Sequence, residues 1–136
     1  MMSRKQTLAS DVLASLEAKK LSLATAESCT GGGVGQALTA VPGSSRVYRG
    51  GIISYTNEVK SALLHVPETL LRDLGAVSGP VAEAMARGAQ AALSADVAVS
   101  TTGLAGPGGD GFGNPVGTVW IACAGPGGVE SVLCRF

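Results

Sequence analysis

Segments with the apolar spacing of helices alternate with short β-rich segments along most of this chain. Residues 5–19 carry apolar side chains at helical intervals, at Leu8, Val12, Leu13 and Leu16. The next segment, LSLAT, alternates apolar and polar side chains as a short strand does. Because helices bury their apolar faces against a neighbouring layer, this alternation predicts an α/β fold.

The remaining segments continue the same pattern. Further helices are predicted over 33–41, 58–64 and 67–74 and from residue 78 through Leu93, with Asn57 as the N-cap of the helix over 58–64. After the strand at 21–25, strands are predicted over 50–56, 96–102, 115–124 and 129–136. A GPGG turn joins the last two strands, which are close enough to pair as an antiparallel hairpin. We therefore predict one domain over residues 1–136, a three-layer α/β/α sandwich with a mixed sheet.

Charge and composition exclude several classes of protein. Ten Lys and Arg residues balance ten Asp and Glu residues, so the basic surface that neutralises phosphates is missing and no nucleic-acid partner is expected. No apolar run approaches the ~18–20 residues that cross a bilayer, and no signal peptide is recognisable, so no membrane association is expected. The cysteines, Cys29, Cys123 and Cys134, form no spaced pair, which argues against a disulfide framework and favours a cytoplasmic location.

Glycine is the most over-represented residue, with 20 among 136 residues. One cluster at 31–35 follows the first predicted strand, and a second at 103–117 follows the strand over 96–102. Ligands of α/β sheets bind at loops beyond the carboxyl ends of strands, where glycine lets the backbone approach closely. The first cluster does not fit the G-x-G-x-x-G frame of dinucleotide-binding loops, and the chain has no P-loop motif. An alternative for the second cluster is a mobile connection, although its two prolines and Asn114 stiffen it.

Ser28 stands directly before the first glycine cluster, at a predicted strand-to-helix turn. A helix N-terminus at such a turn stabilises negative charge, and the N–H groups just after Ser28 would be oxyanion donors. These features favour a serine nucleophile. On position alone, the alternative is that Ser28 is only the N-cap of the following helix.

A nucleophilic serine needs a base, and the chain offers few. His65, the only histidine, follows two leucines near a predicted helix end, where a cap or surface role is commoner than a Ser-His-Asp triad. Lys60 is the better choice, because the helix dipole and burial against leucines would lower its pKa and supply a neutral amine. Tyr55 could relay a proton or orient that amine. The alternative is that Lys60 is an ordinary solvated helix residue.

Cys29, next to Ser28, is a rival nucleophile because thiols are intrinsically more reactive than hydroxyls. Neighbouring side chains in a turn point in different directions. We therefore expect the Cys29 side chain to be buried between helix and sheet, in a structural role.

Several short motifs occur in an order that resembles a known family. They are TAESCTGG at 25–32, GSS at 43–45, GGIISYTNEVK at 50–60, GAVS at 75–78, STTGLAGPGGDG at 100–111 and NPVGTVWIA at 114–122. From about residue 5 to its end, the chain resembles the C-terminal domain family of the competence/damage-inducible protein CinA, whose members act as nicotinamide-nucleotide amidohydrolases.

The resemblance implies an amidase that needs neither a metal nor a cofactor. It would hydrolyse the carboxamide of nicotinamide mononucleotide (NMN) to nicotinate mononucleotide and ammonia, in pyridine-nucleotide salvage. The family's nucleophile falls on Ser28, its lysine base on Lys60 and its accessory tyrosine on Tyr55. Residues expected to hold the oxyanion or to contact the substrate are Thr30, Gly31, Gly32, Asn57, Thr102, Gly103, Gly106, Gly108 and Gly109.

The chain departs from the family pattern at both ends. It is expected to lack the family's C-terminal helix, and the loss of that helix would expose apolar surface or require a partner. It is also expected to lack the family's larger N-terminal domain, so that domain's nucleotide pyrophosphatase activity is not carried over. Two other functions stay open: a non-catalytic nucleotide-binding or assembly module, and a Ser-Lys amidase for another small amide. The expected partner is the small-molecule substrate, and a homo-oligomer is compatible with the sequence.

Overall fold

The computed structural model describes residues 2–136 and shows one five-stranded sheet with helices on both faces. The helices are α1 (Arg4–Ala18), α2 (Gly33–Thr39), α3 (Asn57–Leu64), α4 (Glu68–Leu74) and α5 (Gly79–Ala92), with a short 3-10 turn at Ser44–Arg46. The strands are β1 (Leu23–Glu27), β2 (Tyr48–Ile53), β3 (Val97–Gly103), β4 (Thr118–Gly125) and β5 (Gly128–Arg135). The predicted α/β sandwich with a mixed sheet is confirmed.

The strand order in the sheet is β2-β1-β3-β4-β5. β1 runs parallel to β2 and β3, whereas β4 pairs antiparallel with β3 and β5, the latter as the predicted hairpin. The carboxyl ends of β1, β2 and β3 therefore meet at one edge, where Glu27 lies between Ile53 and Thr101. Ligands of such sheets bind beyond this edge, so the residues that follow Glu27 are candidates for a binding site.

Side chains of β1 alternate between two cores. Ala24 and Ala26 face α3 and α5, where they belong to one buried cluster with Leu64. Leu23 faces α1 and α2 and packs in a second buried cluster with Leu13. Even-numbered residues of β1 thus face α3 and α5, and odd-numbered residues face α1 and α2.

Helix α5 packs closely against both the sheet and α3. Its residues Val81, Met85 and Ala89 are fully buried, as their spacing predicts. Gly88 lies where α5 passes the end of α3, and a Cβ added there would collide with the backbone of Leu64. A glycine is therefore required at this crossing.

A Gly88→Ala variant should test the crossing. Because the obstacle is backbone, the added methyl must displace α3 or α5, and overpacking of this kind lowers the free energy of unfolding by about 1–3 kcal/mol. Urea denaturation measures the loss. Gly127→Ala is the matched control, since a Cβ at Gly127 would meet nothing within 4 Å; equal midpoints for the two variants would contradict the prediction.

Several boundaries differ from those predicted. β1 begins at Leu23 rather than at residue 21, which places Glu27 inside the strand. The N-cap of α3 is Thr56, whose Oγ1 accepts a hydrogen bond from the Val59 N–H at 3.3 Å. The prediction of Asn57 as N-cap is wrong, because Asn57 is already the first helical residue.

One side of α1 is exposed. Leu8 and Val12 are 55% and 46% exposed although their spacing predicts burial, because α1 packs on the sheet through Ala9 and Leu13. With residues of α2 they line an apolar groove of about 640 Å³. Within residues 2–136, no helix combines the length and hydropathy needed to span a bilayer. The expectation that a further C-terminal helix is missing stays a prediction.

Candidate active site

Ser28 follows β1 at the sheet edge where three strands end. Its N–H donates to the Thr101 carbonyl at 3.0 Å, and the preceding Glu27 carbonyl accepts the Ser54 N–H at 2.7 Å. The turn that carries Ser28 is therefore held from both sides. Continuing the alternation of β1, Ser28 lies on the face of α3 and α5.

Lys60 reaches Ser28 from α3. Its side chain is only 1% exposed, and its Nζ lies 3.0 Å from Ser28 Oγ. Nζ also donates to the carbonyls of Ser54 at 2.8 Å and Tyr55 at 3.3 Å. The structure thus brings together the two side chains that the sequence paired, and the alternative of a solvated lysine is wrong.

The surroundings of Lys60 favour its neutral form. Burial holds the pKa of Lys60 below its ordinary 10.5, and the charge of a Cys29 thiolate would act in the opposite direction. Among residues 2–136, no carboxylate lies within hydrogen-bond distance of Nζ. A buried amine without a counter-ion is suited to act as a base.

Tyr55 contacts Lys60 through its backbone. Its carbonyl accepts from Nζ, whereas its side chain is 71% exposed and lines the cleft that contains Ser28. Within residues 2–136 the Tyr55 phenol oxygen makes no hydrogen bond to the side chain of Ser28 or of Lys60. The Tyr55 carbonyl orients the amine, and a role of the phenol in proton transfer stays a prediction.

A cleft of about 380 Å³ opens beside Ser28. Of the residues expected to hold the oxyanion or to contact substrate, five line it: Asn57, Thr102, Gly103, Gly106 and Gly108. The other four do not: Thr30, Gly31, Gly32 and Gly109. Thr102 Oγ1 donates to the Ala76 carbonyl at 2.8 Å, so its hydroxyl is engaged in the cleft wall. A Cβ at Gly103 would lie 2.7 Å from the Thr118 carbonyl oxygen, so the wall requires glycine there.

The glycine-rich loop between β3 and β4 is shaped by Asp110. Its carboxylate accepts the Phe112 N–H at 2.9 Å and the Asn114 side-chain amide at 2.8 Å. The same Asn114 amide donates to the Val77 carbonyl at 3.2 Å, which ties the loop to the segment before α5. The hydrogen bond from Asn114 is the main reason that the pKa of Asp110 is lowered. This network gives the loop a defined shape, unlike the alternative of a mobile connection.

Two residues of this loop that line the cleft were not predicted from the sequence. Asp110 and Phe112 line the cleft, in which Asp110 is the acidic residue and Lys60 the basic one. The Phe112 ring stands 2.7 Å from where a Cβ of Gly75 would lie, so glycine at 75 makes room for it. The presence of an acidic and an aromatic residue within a glycine-rich loop is the sequence feature that could have indicated them as cleft residues. Among residues 2–136, no three His, Cys, Asp or Glu side chains are grouped to hold a metal ion.

The start of α2 is occupied by the Glu27 carboxylate from β1. It accepts four hydrogen bonds, from Thr30 Oγ1 at 2.6 Å and from the N–H groups of Gly32 at 3.1 Å, Val34 at 2.9 Å and Gly35 at 2.9 Å. The Gly31 N–H donates to the Ser28 carbonyl at 3.1 Å. The N–H groups of Gly31 and Gly32, expected to hold an oxyanion, are thus engaged within the protein.

The N–H groups of Cys29 and Thr30 are the ones left beside Ser28. Within residues 2–136, neither donates a hydrogen bond to a nitrogen or oxygen acceptor. Burial raises the pKa of the Cys29 thiol, whereas these two N–H groups and the charge of Lys60 act to lower it. The N–H groups of Cys29 and Thr30 are therefore the backbone donors without an N or O acceptor in this turn, while the Thr30 side chain is turned toward Glu27.

Cys29 lies beside the serine–lysine pair, whereas His65 lies away from it. Cys29 is partly exposed and lines the cleft. The expectation of a buried structural cysteine is wrong, because the turn directs its side chain toward Gly103 rather than between helix and sheet. His65 ends α3 with φ 55° and lies outside the cleft lining, which agrees with the preference for Lys60 over a histidine triad.

A serine hydroxyl beside a buried lysine amine, at the carboxyl edge of a mixed α/β sheet, defines an α/β domain with a serine–lysine site. The sequence model of the CinA C-terminal domain matches residues 5–136. The chain belongs to the CinA C-terminal domain family.

Curated relatives agree with this assignment. A CinA-like protein from Parasynechococcus marenigrum is 54% identical over 130 residues, which covers 96% of this chain and 31% of that protein. A CinA-like protein from Cyanothece sp. is 53% identical over 135 residues, covering 98% and 32%. The chain therefore spans about a third of the length of these relatives.

Solved structures show the same fold. The competence damage-inducible protein A (ComA) from Klebsiella pneumoniae superposes with a TM-score of 0.95 at 35% identity, over 98% of this chain and 83% of that one. The competence/damage inducible protein CihA from Agrobacterium tumefaciens superposes with a TM-score of 0.93 at 39% identity, over 100% and 83%.

Proposed function

We propose that this domain is an amidohydrolase that converts NMN to nicotinate mononucleotide and ammonia. The observation that carries the reaction type is the 3.0 Å contact between Ser28 Oγ and the buried Nζ of Lys60. The choice of NMN comes from the sequence resemblance, and a 380 Å³ cleft beside Ser28 has room for a small molecule.

The hydrogen bonds of Lys60 explain how the serine would be activated. A neutral amine has two N–H donors and one lone pair, and the carbonyls of Ser54 and Tyr55 accept the two N–H groups. The lone pair then faces the Ser28 hydroxyl, which donates its proton to Nζ as Oγ attacks the carboxamide carbon.

The negative charge of the tetrahedral intermediate would develop beside the turn that follows Ser28. Within residues 2–136, the N–H groups of Cys29 and Thr30 donate to no nitrogen or oxygen acceptor. They are placed as an oxyanion hole, in which donors held by the backbone stabilise charge without reorganising.

The second half of the reaction returns the proton. Lys60 donates the proton taken from Ser28 to the amide nitrogen as the C–N bond breaks, which releases ammonia and leaves an ester on Ser28. A water molecule then attacks the ester and gives a proton to Lys60, which passes it back to Ser28 Oγ. The products are the carboxylic acid and the regenerated enzyme.

The cleft walls offer complementary contacts for the rest of NMN. Tyr55 and Phe112 are exposed aromatic side chains in the cleft lining, suited to a flat pyridine ring. The backbone at Gly106 and Gly108 would face the ribose or phosphate. The role in salvage, the cytoplasmic location and a homo-oligomeric state stay predictions.

Turnover of NMN tests the proposal directly. The purified chain is incubated with NMN, nicotinamide or glutamine, and released ammonia and nicotinate mononucleotide are measured. We expect one ammonia per nicotinate mononucleotide from NMN, and much slower release from the other two amides. In parallel, Cys29→Ala should remain active, because it removes the thiol and keeps the backbone N–H.

Each contrary result identifies a different function. NMN binding without ammonia release would overturn the proposal in favour of a nucleotide-binding module. Ammonia from another amide but not from NMN would keep the serine–lysine chemistry and change the substrate. Activity that is lost in Cys29→Ala would make the thiol the nucleophile.

A further inference from the structure

Glu27 is a buried carboxylate that the mechanism above does not use. It is 3% exposed and is the one buried acidic residue among residues 2–136. It directly precedes Ser28, and all four of its hydrogen bonds come from the segment that follows Ser28. A group so placed can control the conformation of the nucleophile's turn.

The Glu27 carboxylate caps the N-terminus of α2. The residue at the N-cap position, Gly32, has no side chain to accept the free N–H groups of the first turn. Glu27 accepts them instead, and its charge is favourable at a helix N-terminus. Thr30 adds a second tie, because its Oγ1 donates to Glu27 and lies 2.8 Å from Thr101 Oγ1 on β3.

The backbone of Glu27 also connects to the base. Its carbonyl accepts the Ser54 N–H at 2.7 Å, and the Ser54 carbonyl accepts from Lys60 Nζ at 2.8 Å. A shift of residue 27 would therefore disturb both partners of the 3.0 Å contact between Ser28 and Lys60.

The Glu27 carboxylate and the Lys60 amine lie on opposite faces of the sheet. Glu27 is an odd-numbered residue of β1 and faces α2, whereas Ser28 and Lys60 lie on the face of α3 and α5. A carboxylate beside Lys60 would hold the amine as an ammonium ion. The amides of α2 keep the Glu27 carboxylate on the other face and leave Lys60 without a counter-ion.

We propose that Glu27 is a positioning residue of the active site: its carboxylate holds residues 30–35 so that Ser28 and the N–H groups of Cys29 and Thr30 keep their reacting geometry. The proposal rests on the proposed function only in taking Ser28 as the nucleophile. It assigns Glu27 no contact with substrate and no proton transfer.

Glu27→Gln is the main test. The glutamine amide replaces one acceptor by a donor that opposes the N–H groups of α2, so the turn should shift. We expect kcat for NMN to fall about 100-fold with KM nearly unchanged, as for a small misplacement of reacting groups. The pH at which kcat is half-maximal should not move, since Lys60 stays buried, and burial is the main cause of its lowered pKa. Glu27→Asp, with its charge retained, should recover part of the rate.

The control is Glu83→Gln, which removes another carboxylate that accepts a hydrogen bond, here from Ser131 Oγ on β5. It should leave kcat unchanged. An unchanged kcat in Glu27→Gln, a change in KM alone, or a shift of the pH midpoint would overturn the positioning role. If Glu27→Gln does not fold, a fully active Glu27→Asp would also overturn it, because the shorter side chain cannot reach all four donors.

Two measurements do not depend on NMN as substrate. Labelling of Ser28 by a fluorophosphonate should slow in Glu27→Gln in proportion to kcat, and equal labelling in both proteins would contradict the proposal. Hydrogen exchange at the amides of 32–35 should become faster in Glu27→Gln, with the remaining strands unaffected. Unchanged exchange there would overturn the proposal even if the wild-type chain neither hydrolysed NMN nor reacted with the probe.

Discussion

Ser28→Ala is expected to lower the rate of ammonia release from NMN by about a thousandfold or more, since loss of a nucleophile leaves only binding and oxyanion stabilisation. The substitution removes Oγ, the atom 3.0 Å from Lys60 Nζ, and leaves the turn and the N–H groups of Cys29 and Thr30 in place. Ammonia release measured at saturating NMN gives the change in kcat.

Binding and stability serve as the controls for Ser28→Ala. The variant should still bind NMN, and its free energy of unfolding should change by only about 1 kcal/mol, because one buried hydrogen bond is lost. Wild-type turnover by Ser28→Ala would rule out Ser28 as the nucleophile. Cys29, which lines the same cleft, would then be the next residue to test.

Lys60→Met should lower the rate of ammonia release from NMN about as much as Ser28→Ala does. Methionine fills comparable space but has no lone pair on nitrogen to accept the Ser28 proton, and it leaves the carbonyls of Ser54 and Tyr55 without their donor. Lys19→Met, at an exposed lysine just after α1, is the matched control and should turn over NMN at the wild-type rate. Loss of activity in both variants would indicate a nonspecific effect.

The pH dependence of the wild-type enzyme follows from the same amine. Burial lowers the pKa of Lys60, so the neutral base becomes populated at a lower pH than an exposed lysine would allow. The rate should therefore rise with pH through that lowered pKa and then level off. A rate that falls over this range would mean that Lys60 acts as an ammonium ion.

Stability should depend on pH in the same direction. Between its lowered folded pKa and its ordinary 10.5, Lys60 is neutral in the folded chain and protonated in the unfolded chain. The unfolded state then binds more protons, so the free energy of unfolding rises with pH by up to about 1.4 kcal/mol per unit within this window. Lys60→Met should lack this contribution, and parallel curves for the two proteins would contradict it.

Local patterns were sufficient to predict the elements of the fold. The spacing of Val81, Met85 and Ala89 predicts the buried face of α5, and the GPGG turn predicts the β4–β5 hairpin. Such patterns are reliable where one side of an element meets the core. They failed at Leu8 and Val12, because apolar spacing does not show which part of an apolar stripe contacts the sheet.

In the site, too, the residue types could be predicted from the sequence, whereas their contacts could not. Residue chemistry and position pointed to Ser28 and Lys60, and the family resemblance strengthened the choice. The sequence does not show that the N–H groups of Gly31 and Gly32 have acceptors within the protein, because the contact between Glu27 and the start of α2 forms only in the folded chain. The burial of the Cys29 side chain was predicted wrongly for a related reason. The direction of a side chain in a turn depends on the backbone conformation that the turn adopts.

The sequence by itself determined the order of helices and strands, the glycine-rich loops at strand ends and the residue types that carry the chemistry. The tertiary structure decided which of these meet. Ser28 and Lys60 lie 32 residues apart in the chain and come into contact because parallel β1 and β2 bring the turn after β1 beside α3. Only that packing removes water from Lys60 and places the Glu27 carboxylate on the opposite face, and both effects favour the neutral form of the lysine amine.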